Sequence, residues 1–305
     1  MTLATSLQRY LDDLDLGFSI EQISNELPFT FVSALQNKHI AEYSFNSLAV
    51  VLGEEMPLEV EALTQKIVDR GLGGYCFEHN KLTYELLASL GYEVELKLAR
   101  VLYNQEKKAP RTHRVSLLKH QGKRYLIDTG FGAYGPSYPL ELVLNQAQAI
   151  GGETYRIISV SEKKQLDTIE YDVQIFKGGE FFTLYRFDLA DYSDSDCQLS
   201  HFFSHKYPEA GFVNNLVISL KSDEMIVALK NHELITRFTD KNGQRVETSE
   251  TILSSEALYQ TLTQTFHLSI DKAISEHLFE RFLAAKLEAV HHSENMSITN
   301  TRQAS

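Results

Sequence analysis

The sequence predicts an α+β chain in three successive parts. Three observations point there: helical periodicity fills the first third, period-two alternation runs through the middle, and the last third mixes both. In the first part Leu7, Tyr10, Leu11 and Leu14 recur at i, i+3, i+4 and i+7, Ser19 with Gln22 forms a capping-box pattern, and Val60, Leu63 and Ile67 carry the helical period up to Gly71. A further helix opens at Cys76, aligns Leu82, Leu86, Leu87 and Leu90 on one stripe, and stops at Gly91, a favourable residue just past a helix end. From residue 92 to about 187, Val94/Leu96/Leu98, Val115/Leu117, Tyr125/Ile127 and Val173/Ile175 alternate, with a Gly178-Gly179 turn, and predict short strands of a sheet or barrel. Strands over 213–220, 225–229 and 234–238 and helices through Leu258/Leu262 and Ile274/Leu278/Phe282 give an α/β third part. The expected boundaries are 1–91, 92–190 and 191–290, and the polar, aperiodic stretch 291–305 is expected to be disordered.

Bulk properties exclude several function classes. The chain has 305 residues and a formal net charge of −12 with Lys and Arg scattered, whereas nucleic acid and anionic membranes require a concentrated basic face. No apolar run is long enough to span a bilayer, and the opening residues run into Asp12, Asp13 and Asp15 without an apolar leader, so the expected location is the cytoplasm. Only two cysteines occur, Cys76 and Cys197, which argues against a disulfide framework and for a reducing compartment. Without Cys-x-x-Cys or His-Glu-x-x-His, no metal is expected.

The chemistry centres on Gly71-Leu-Gly-Gly-Tyr-Cys-Phe-Glu-His-Asn80, where a glycine run delivers a thiol into the first turn of a helix. Unpaired N–H groups and the positive end of the helix dipole favour the thiolate there, so the position is expected to lower the thiol pKa. Downstream, 113–120 and 123–128 flank Gln121-Gly122 and read as a β-hairpin. With His120 facing Lys123, Val115 falls opposite Asp128, and His113 becomes its diagonal neighbour on the same face, about 7–8 Å away at Cα. Nucleophile, imidazole and acid, the three parts of thiol catalysis, are then present as Cys76, His113 and Asp128. Taken one at a time, each has a plainer reading: a small buried residue, a strand histidine bonded to a carbonyl, and a turn-forming aspartate. His79 reads as structural or solvent-facing, and His291-His292 falls in the 291–305 tail.

Together these residues resemble the arylamine N-acetyltransferase family. Its signature of Arg-Gly-Gly-Tyr/Trp-Cys-Phe-Glu is similar to Gly73-Gly-Tyr-Cys-Phe-Glu78, and its downstream pattern to Arg100-Val101, Thr112-His113 after Pro110, and Asp128-Thr-Gly-Phe-Gly132. A weaker similarity extends to Ser204-His-Lys-Tyr-Pro208 with Phe212. The resemblance implies a helical bundle, an antiparallel β-barrel and an α/β lid around a papain-like core. It implies the triad Cys76, His113 and Asp128, acetyl-coenzyme A as co-substrate, and ping-pong acetyl transfer to an aromatic amine, hydrazine or hydroxylamine by a xenobiotic-metabolising monomer or homodimer. It also implies substrate contacts at Phe131, Thr112 and Tyr75, and coenzyme A contacts at Gly130 and Gly132, with Gly135 in the same loop. Three departures stand out: Leu72 replaces the arginine before the paired glycines, Ser44-Phe-Asn-Ser47 replaces Pro-Phe-Glu-Asn, and Asp13 stands where an arginine is usual. An amide synthase or hydrolase on the same triad, or a non-catalytic binding protein on the same fold, are the alternatives.

Overall fold

The computed structural model describes residues 3–105, 109–160 and 169–284, so the 291–305 stretch lies outside the described residues. The first part is α1 (Thr5–Leu14), α2 (Ile20–Glu26), α3 (Phe29–Glu42), β1 (Phe45–Asn46), α4 (Leu48–Val51), α5 (Val60–Thr64) with a π-helical turn at Gln65–Asp69, and α6 (Cys76–Ser89). The α1 stripe Leu7, Tyr10, Leu11 and Leu14 is buried and shares one core with Phe31, Val32 and Leu35 of α3 and Leu82, Leu86 and Leu87 of α6. Ser19 Oγ accepts from the Gln22 amide at 3.1 Å, capping α2. At the end of α6, Gly91 takes φ 95°, and the Gly91 and Tyr92 amides bond back to the Ala88 and Leu87 carbonyls.

Eight antiparallel strands follow: β2 (Glu93–Val101), β3 (His113–His120), β4 (Lys123–Ile127), β5 (Leu140–Glu141), β6 (Gln148–Ile150), β7 (Glu153–Val160), β8 (Glu170–Lys177) and β9 (Glu180–Asp188). They pair in the order β5-β4-β3-β2-β9-β8-β7-β6, and the sheet nearly closes. Its seam is bridged by a side chain: the Glu141 amide of β5 donates to Gln148 Oε1 of β6 at 3.0 Å, and Gln148 Nε2 donates back to the Glu141 carbonyl at 2.9 Å. The β3–β4 hairpin has the expected register, His120 opposite Lys123, but its ladder ends at Ser116 opposite Ile127, where the chain leaves β4 for the loop 128–135. In β2, Leu96 and Leu98 are buried in one core with Phe77 of α6, whereas Lys97 lies opposite Val115 on the same face as Ala99 and is buried there, so both faces of the strand are covered. The Lys97 ammonium is held by Glu95 at 3.0 Å and the Ala190 carbonyl at 3.0 Å.

The last part contains α7 (Asp194–Lys206), α8 (Gly211–Asn214), β10 (Val217–Lys221), β11 (Met225–Lys230), β12 (Glu233–Thr239), β13 (Arg245–Thr251), α9 (Ser255–Gln260) and α10 (Lys272–Phe279). Two expectations are corrected here. The strand expected from 213 begins at Val217, because Val213 sits in α8, whose Asn214 amide is bonded to the Pro208 and Ala210 carbonyls. The sheet runs β1-β10-β11-β12-β13, so residues 45–46 of the first part belong to the sheet of the third. Phe45 lies opposite Ser219 and Asn46 opposite Ile218.

A buried ion pair ties this sheet to the barrel. Lys221 Nζ on β10 donates to Glu153 Oε2 of β7 at 2.5 Å and to the Gly135 carbonyl at 2.5 Å, with side-chain exposures of 2% and 6% for the pair. Removing Lys221 leaves the buried Glu153 carboxylate with only the distant Arg245 at 3.8 Å and the Tyr155 hydroxyl at 2.6 Å, and breaking a buried pair in this way costs about 3–5 kcal/mol. Lys221→Met is therefore expected to lower the unfolding free energy by about 3 kcal/mol, read from the denaturant midpoint at unchanged m-value. A loss under about 1 kcal/mol would show that the pair does not join the two sheets energetically.

Candidate active site

The glycine run is positioned by β1. Gly73 has φ +59°, and a Cβ there would fall 2.1 Å from the Ser44 carbonyl oxygen, so only glycine passes at this depth. The Asn46 amide bonds the Gly74 carbonyl at 2.6 Å, and the Gly74 amide bonds the Ser44 carbonyl at 3.2 Å. The departures from the family pattern meet in this corner: Asn46 Nδ2 donates to the Leu72 carbonyl at 2.9 Å and to Ser44 Oγ at 3.1 Å. Asp13, the third, accepts from the Tyr43 hydroxyl at 2.5 Å. α6 then starts on a cap supplied by Glu78, which accepts the Tyr75 amide at 3.0 Å through Oε2 and Lys66 Nζ at 2.6 Å through Oε1.

Cys76 is buried, and its Sγ donates to the Thr112 carbonyl at 3.5 Å. Burial pushes the thiol pKa well up, and Asp128 and Glu78 push the same way, against the N–H groups of Arg114 and Phe77. The lowering expected from the helix start is thus opposed in the resting site, where desolvation outweighs the dipole and raises the thiol pKa.

His113 Nε2 lies 2.8 Å from Asp128 Oδ2, with both side chains buried. A carboxylate only accepts, so Nε2 carries the proton and Nδ1 is the basic nitrogen. Asp128 Oδ1 accepts from Asn80 Nδ2 at 3.0 Å and from the Gly130 amide at 3.1 Å. Burial alone would raise the Asp128 pKa, but the neighbouring His113 and these donors hold it below the ordinary carboxylate value, so it stays ionised. The hairpin register therefore brings His113 and Asp128 together even though the ladder stops short of them.

Asn80 is the residue the sequence reading missed. It lies four residues after Cys76, one turn along the same face of α6. Its Nδ2 donates to the Arg114 carbonyl at 2.7 Å as well as to Asp128, and its Oδ1 accepts from the Thr129 amide at 2.9 Å. One amide thus welds the cysteine helix to both strand ends that carry the imidazole and the acid; the i+4 spacing was the available signal.

The remaining expected contacts are distributed differently. The Phe131 ring packs on His113 at 5.1 Å, on Tyr185 at 4.9 Å and on the half-exposed Tyr103 at 5.7 Å. Thr112 meets the thiol through its backbone carbonyl. Tyr75 is corrected: its side chain is fully buried against Phe77 and Phe212, and its hydroxyl is bonded to His201, so it braces α7 instead of facing a substrate. Gly130 and Gly132 are packed on their Cβ side so closely that only glycine fits, and Gly132 lines a cavity together with Phe131, Gly135 and Lys221. A Cβ at Gly130 would lie 2.8 Å from Cys76 Cα, and one at Gly132 would lie 3.0 Å from both Phe45 and Ser219 side-chain atoms. His79 is buried, with Nε2 3.2 Å from the Ser44 carbonyl, a structural placement. Among the described residues, no three His, Cys, Asp or Glu side chains converge on a possible metal position.

Comparison with known proteins adds to this geometry. A family model described as N-acetyltransferase matches residues 30–275, which include every residue of the site. The arylamine N-acetyltransferase of Escherichia coli (strain K12) is 29% identical over 242 residues, covering 79% of this chain and 82% of that protein. That of Mycolicibacterium smegmatis is 31% identical over 207 residues, 66% and 73% of the two chains. Among solved structures, the Salmonella typhimurium arylamine N-acetyltransferase superposes with TM-score 0.77 at 25% identity over 92% of this chain and 100% of that one. The Mycobacterium marinum arylamine N-acetyltransferase in complex with CoA superposes with TM-score 0.77 at 26% identity over 90% and 99%.

The contact between Gly130 and α6 gives a direct test. Gly130→Ala places a methyl group against the Cys76 backbone, which neither a rotamer change nor a flexible neighbour relieves. Overpacking of this kind costs about 1–3 kcal/mol. The variant is expected to lose that much stability in chemical denaturation and to react more slowly with a thiol-specific acylating reagent. Unchanged stability and thiol reactivity would mean that the loop is not held against the helix in solution.

Proposed function

The chain belongs to the arylamine N-acetyltransferase family, and we propose that it moves an acetyl group from acetyl-coenzyme A to an arylamine through Cys76, His113 and Asp128. The observation that carries this assignment of roles is the His113–Asp128 bond of 2.8 Å, whose carboxylate is fastened by Asn80 to the helix that begins at Cys76. Burial favours the neutral thiol, so the first step is proton transfer from Sγ to His113 Nδ1, with Asp128 balancing the imidazolium. The thiolate attacks the acetyl carbonyl carbon, the helix N-terminus favours the oxyanion, and the coenzyme A sulfur leaves with the proton returned by the imidazolium. One thioester replaces another, so this half-reaction is close to balanced. In the second half the amine nitrogen attacks the acetyl-cysteine, His113 takes the nitrogen's proton, and the thiolate of Cys76 departs. Phe131 and Tyr103 offer the aromatic surfaces on which an aryl acceptor can stack. A working thiol needs reducing conditions, which is the ground for placing the enzyme in the cytoplasm; no described helix is long and apolar enough to cross a membrane.

Incubation with acetyl-coenzyme A in the absence of acceptor should add one acetyl group to Cys76 by intact mass, and a hydrazine or arylamine should remove it. Cys76→Ala should abolish both steps; turnover that survives this substitution would sink the proposal. Asp128→Asn presents the imidazole in the wrong tautomer and is expected to lower kcat by about 10⁴-fold, as loss of the carboxylate does in triads of this logic. A loss below about tenfold would remove Asp128 from the mechanism.

A further inference from the structure

Behind the site, hydrogen bonds run without interruption through the helical core. The Thr129 hydroxyl, next in sequence to Asp128, lies 3.0 Å from that of Thr83 on α6, and Thr83 Oγ1 lies 3.4 Å from the Tyr10 hydroxyl on α1. Tyr10 is 2.5 Å from His39 Nδ1 on α3, His39 Nε2 is 2.7 Å from His79 Nδ1 on α6, and His79 Nε2 is 3.2 Å from the Ser44 carbonyl. Tyr10, Thr83, His39, His79 and Thr129 are all buried.

The terminal carbonyl sets the direction of the whole series. A carbonyl cannot donate, so His79 carries its proton on Nε2 and accepts at Nδ1. His39 must then donate from Nε2 and accept at Nδ1, and the proton it accepts comes from Tyr10. The Tyr10 oxygen is left to accept from Thr83, and Thr83 from Thr129. Both tautomers and the Tyr10 hydroxyl are thereby fixed, provided that both imidazoles are neutral, and Thr129 shares its proton between Thr83 and Asn80. Burial holds His39 well below its ordinary value, with His79 adding to the effect, and burial brings His79 down to about 4. The titratable groups facing the pair are Tyr10 of α1, Tyr43 after α3, Glu78 of α6, and Lys66 of the π-helical turn, which is paired to Glu78 at 2.6 Å.

The series ends where Thr129 and Asn80 hold Asp128. With its hydroxyl drawn toward Thr83 at 3.0 Å, Thr129 makes its shorter bond to Asn80 Oδ1 through its amide, at 2.9 Å, and Asn80 Nδ2 stays on Asp128. The Thr129 hydroxyl is shared between Thr83 and Asn80 Oδ1, to which it donates at 3.3 Å, so if the series is broken it turns fully onto Asn80 and pulls on the amide that anchors the carboxylate. We propose that Tyr10, His39 and His79 are positioning residues for acetyl transfer, their one-way hydrogen bonds holding Thr129 and Asn80 so that Asp128 keeps His113 in its working orientation. This inference rests on the role given to Asp128 above.

Two measurements test it. In the full chain labelled with ¹⁵N-histidine, NMR should show both His39 and His79 as neutral Nε2–H tautomers at neutral and mildly acidic pH; an Nδ1–H form of either overturns the series. This readout needs no activity, so it is separate from any failure of the catalytic assignment, which Cys76→Ala tests. In kinetics, Tyr10→Phe keeps the ring and removes the donor. It should lower kcat about two- to thirtyfold and displace the acid limb of the pH–rate profile, while KM for the arylamine holds. Should that variant fail to fold, Thr83→Val should reproduce the displacement and Thr83→Ser should restore the wild-type profile. A lower Tm with an unmoved pH profile and kcat in these variants would reduce the three residues to structural ballast and overturn the proposal.

Discussion

Everything at the site depends on how closely the first turn of α6 approaches the loop that leaves β4. Gly130 lets the Cys76 backbone come to where a side chain would otherwise stand, and Asn80 fills the same gap with an amide satisfied on all sides. A helix start and a hairpin end are held as one body, which brings the helix that begins at Cys76 against the His113–Asp128 pair. The arrangement buries the nucleophile, and burial has an electrostatic price: the helix dipole alone does not keep a charged thiol there. In the proposed mechanism activation is therefore shared with an imidazole, which must be oriented.

The corner behind the glycine run shows how a chain can give up charges without giving up geometry. Asn46 and Leu72 stand where the family pattern has a glutamate and an arginine, and these two positions touch through the Asn46 amide and the Leu72 carbonyl. The neutral contact still pins β1 against the glycines. Glu78, buried at the cap of α6, is balanced by Lys66 from the preceding helix. Two neutral histidines extend the polar core from there, and their neutrality keeps uncompensated charge out of it.

Much of this was legible in the sequence where a local rule had no competitor. The α1 stripe, the Gly91 stop and the β3–β4 register follow from periodicity and turn chemistry, and the register was enough to put His113 beside Asp128. What failed depended on tertiary cover. The thiol pKa was misjudged because burial is invisible to a spacing argument. α7 went unseen because it buries Cys197, His201 and Ser204 while leaving Leu199 and Phe202 exposed, the reverse of the pattern that reveals a surface helix, although Ser193 and Asp196 spell its cap. β13 is an edge strand with almost no buried face, so alternation had nothing to mark. β1 is two residues long and pairs across the chain, and such pairing leaves no local trace.

The seam of the barrel has a consequence for how the molecule breathes. Between β5 and β6 the amide of Gln148 imitates a neighbouring strand, supplying one donor and one acceptor where a ladder would supply a row of them. Beyond it, the backbone closes the seam at only one place, where Leu144 bridges Ile157 and the Asn145 amide donates to the Ile157 carbonyl at 2.8 Å. The nearly closed cylinder thus has a thin join between its end strands, fastened by one side-chain amide and one backbone bridge where its other strands are joined by full ladders.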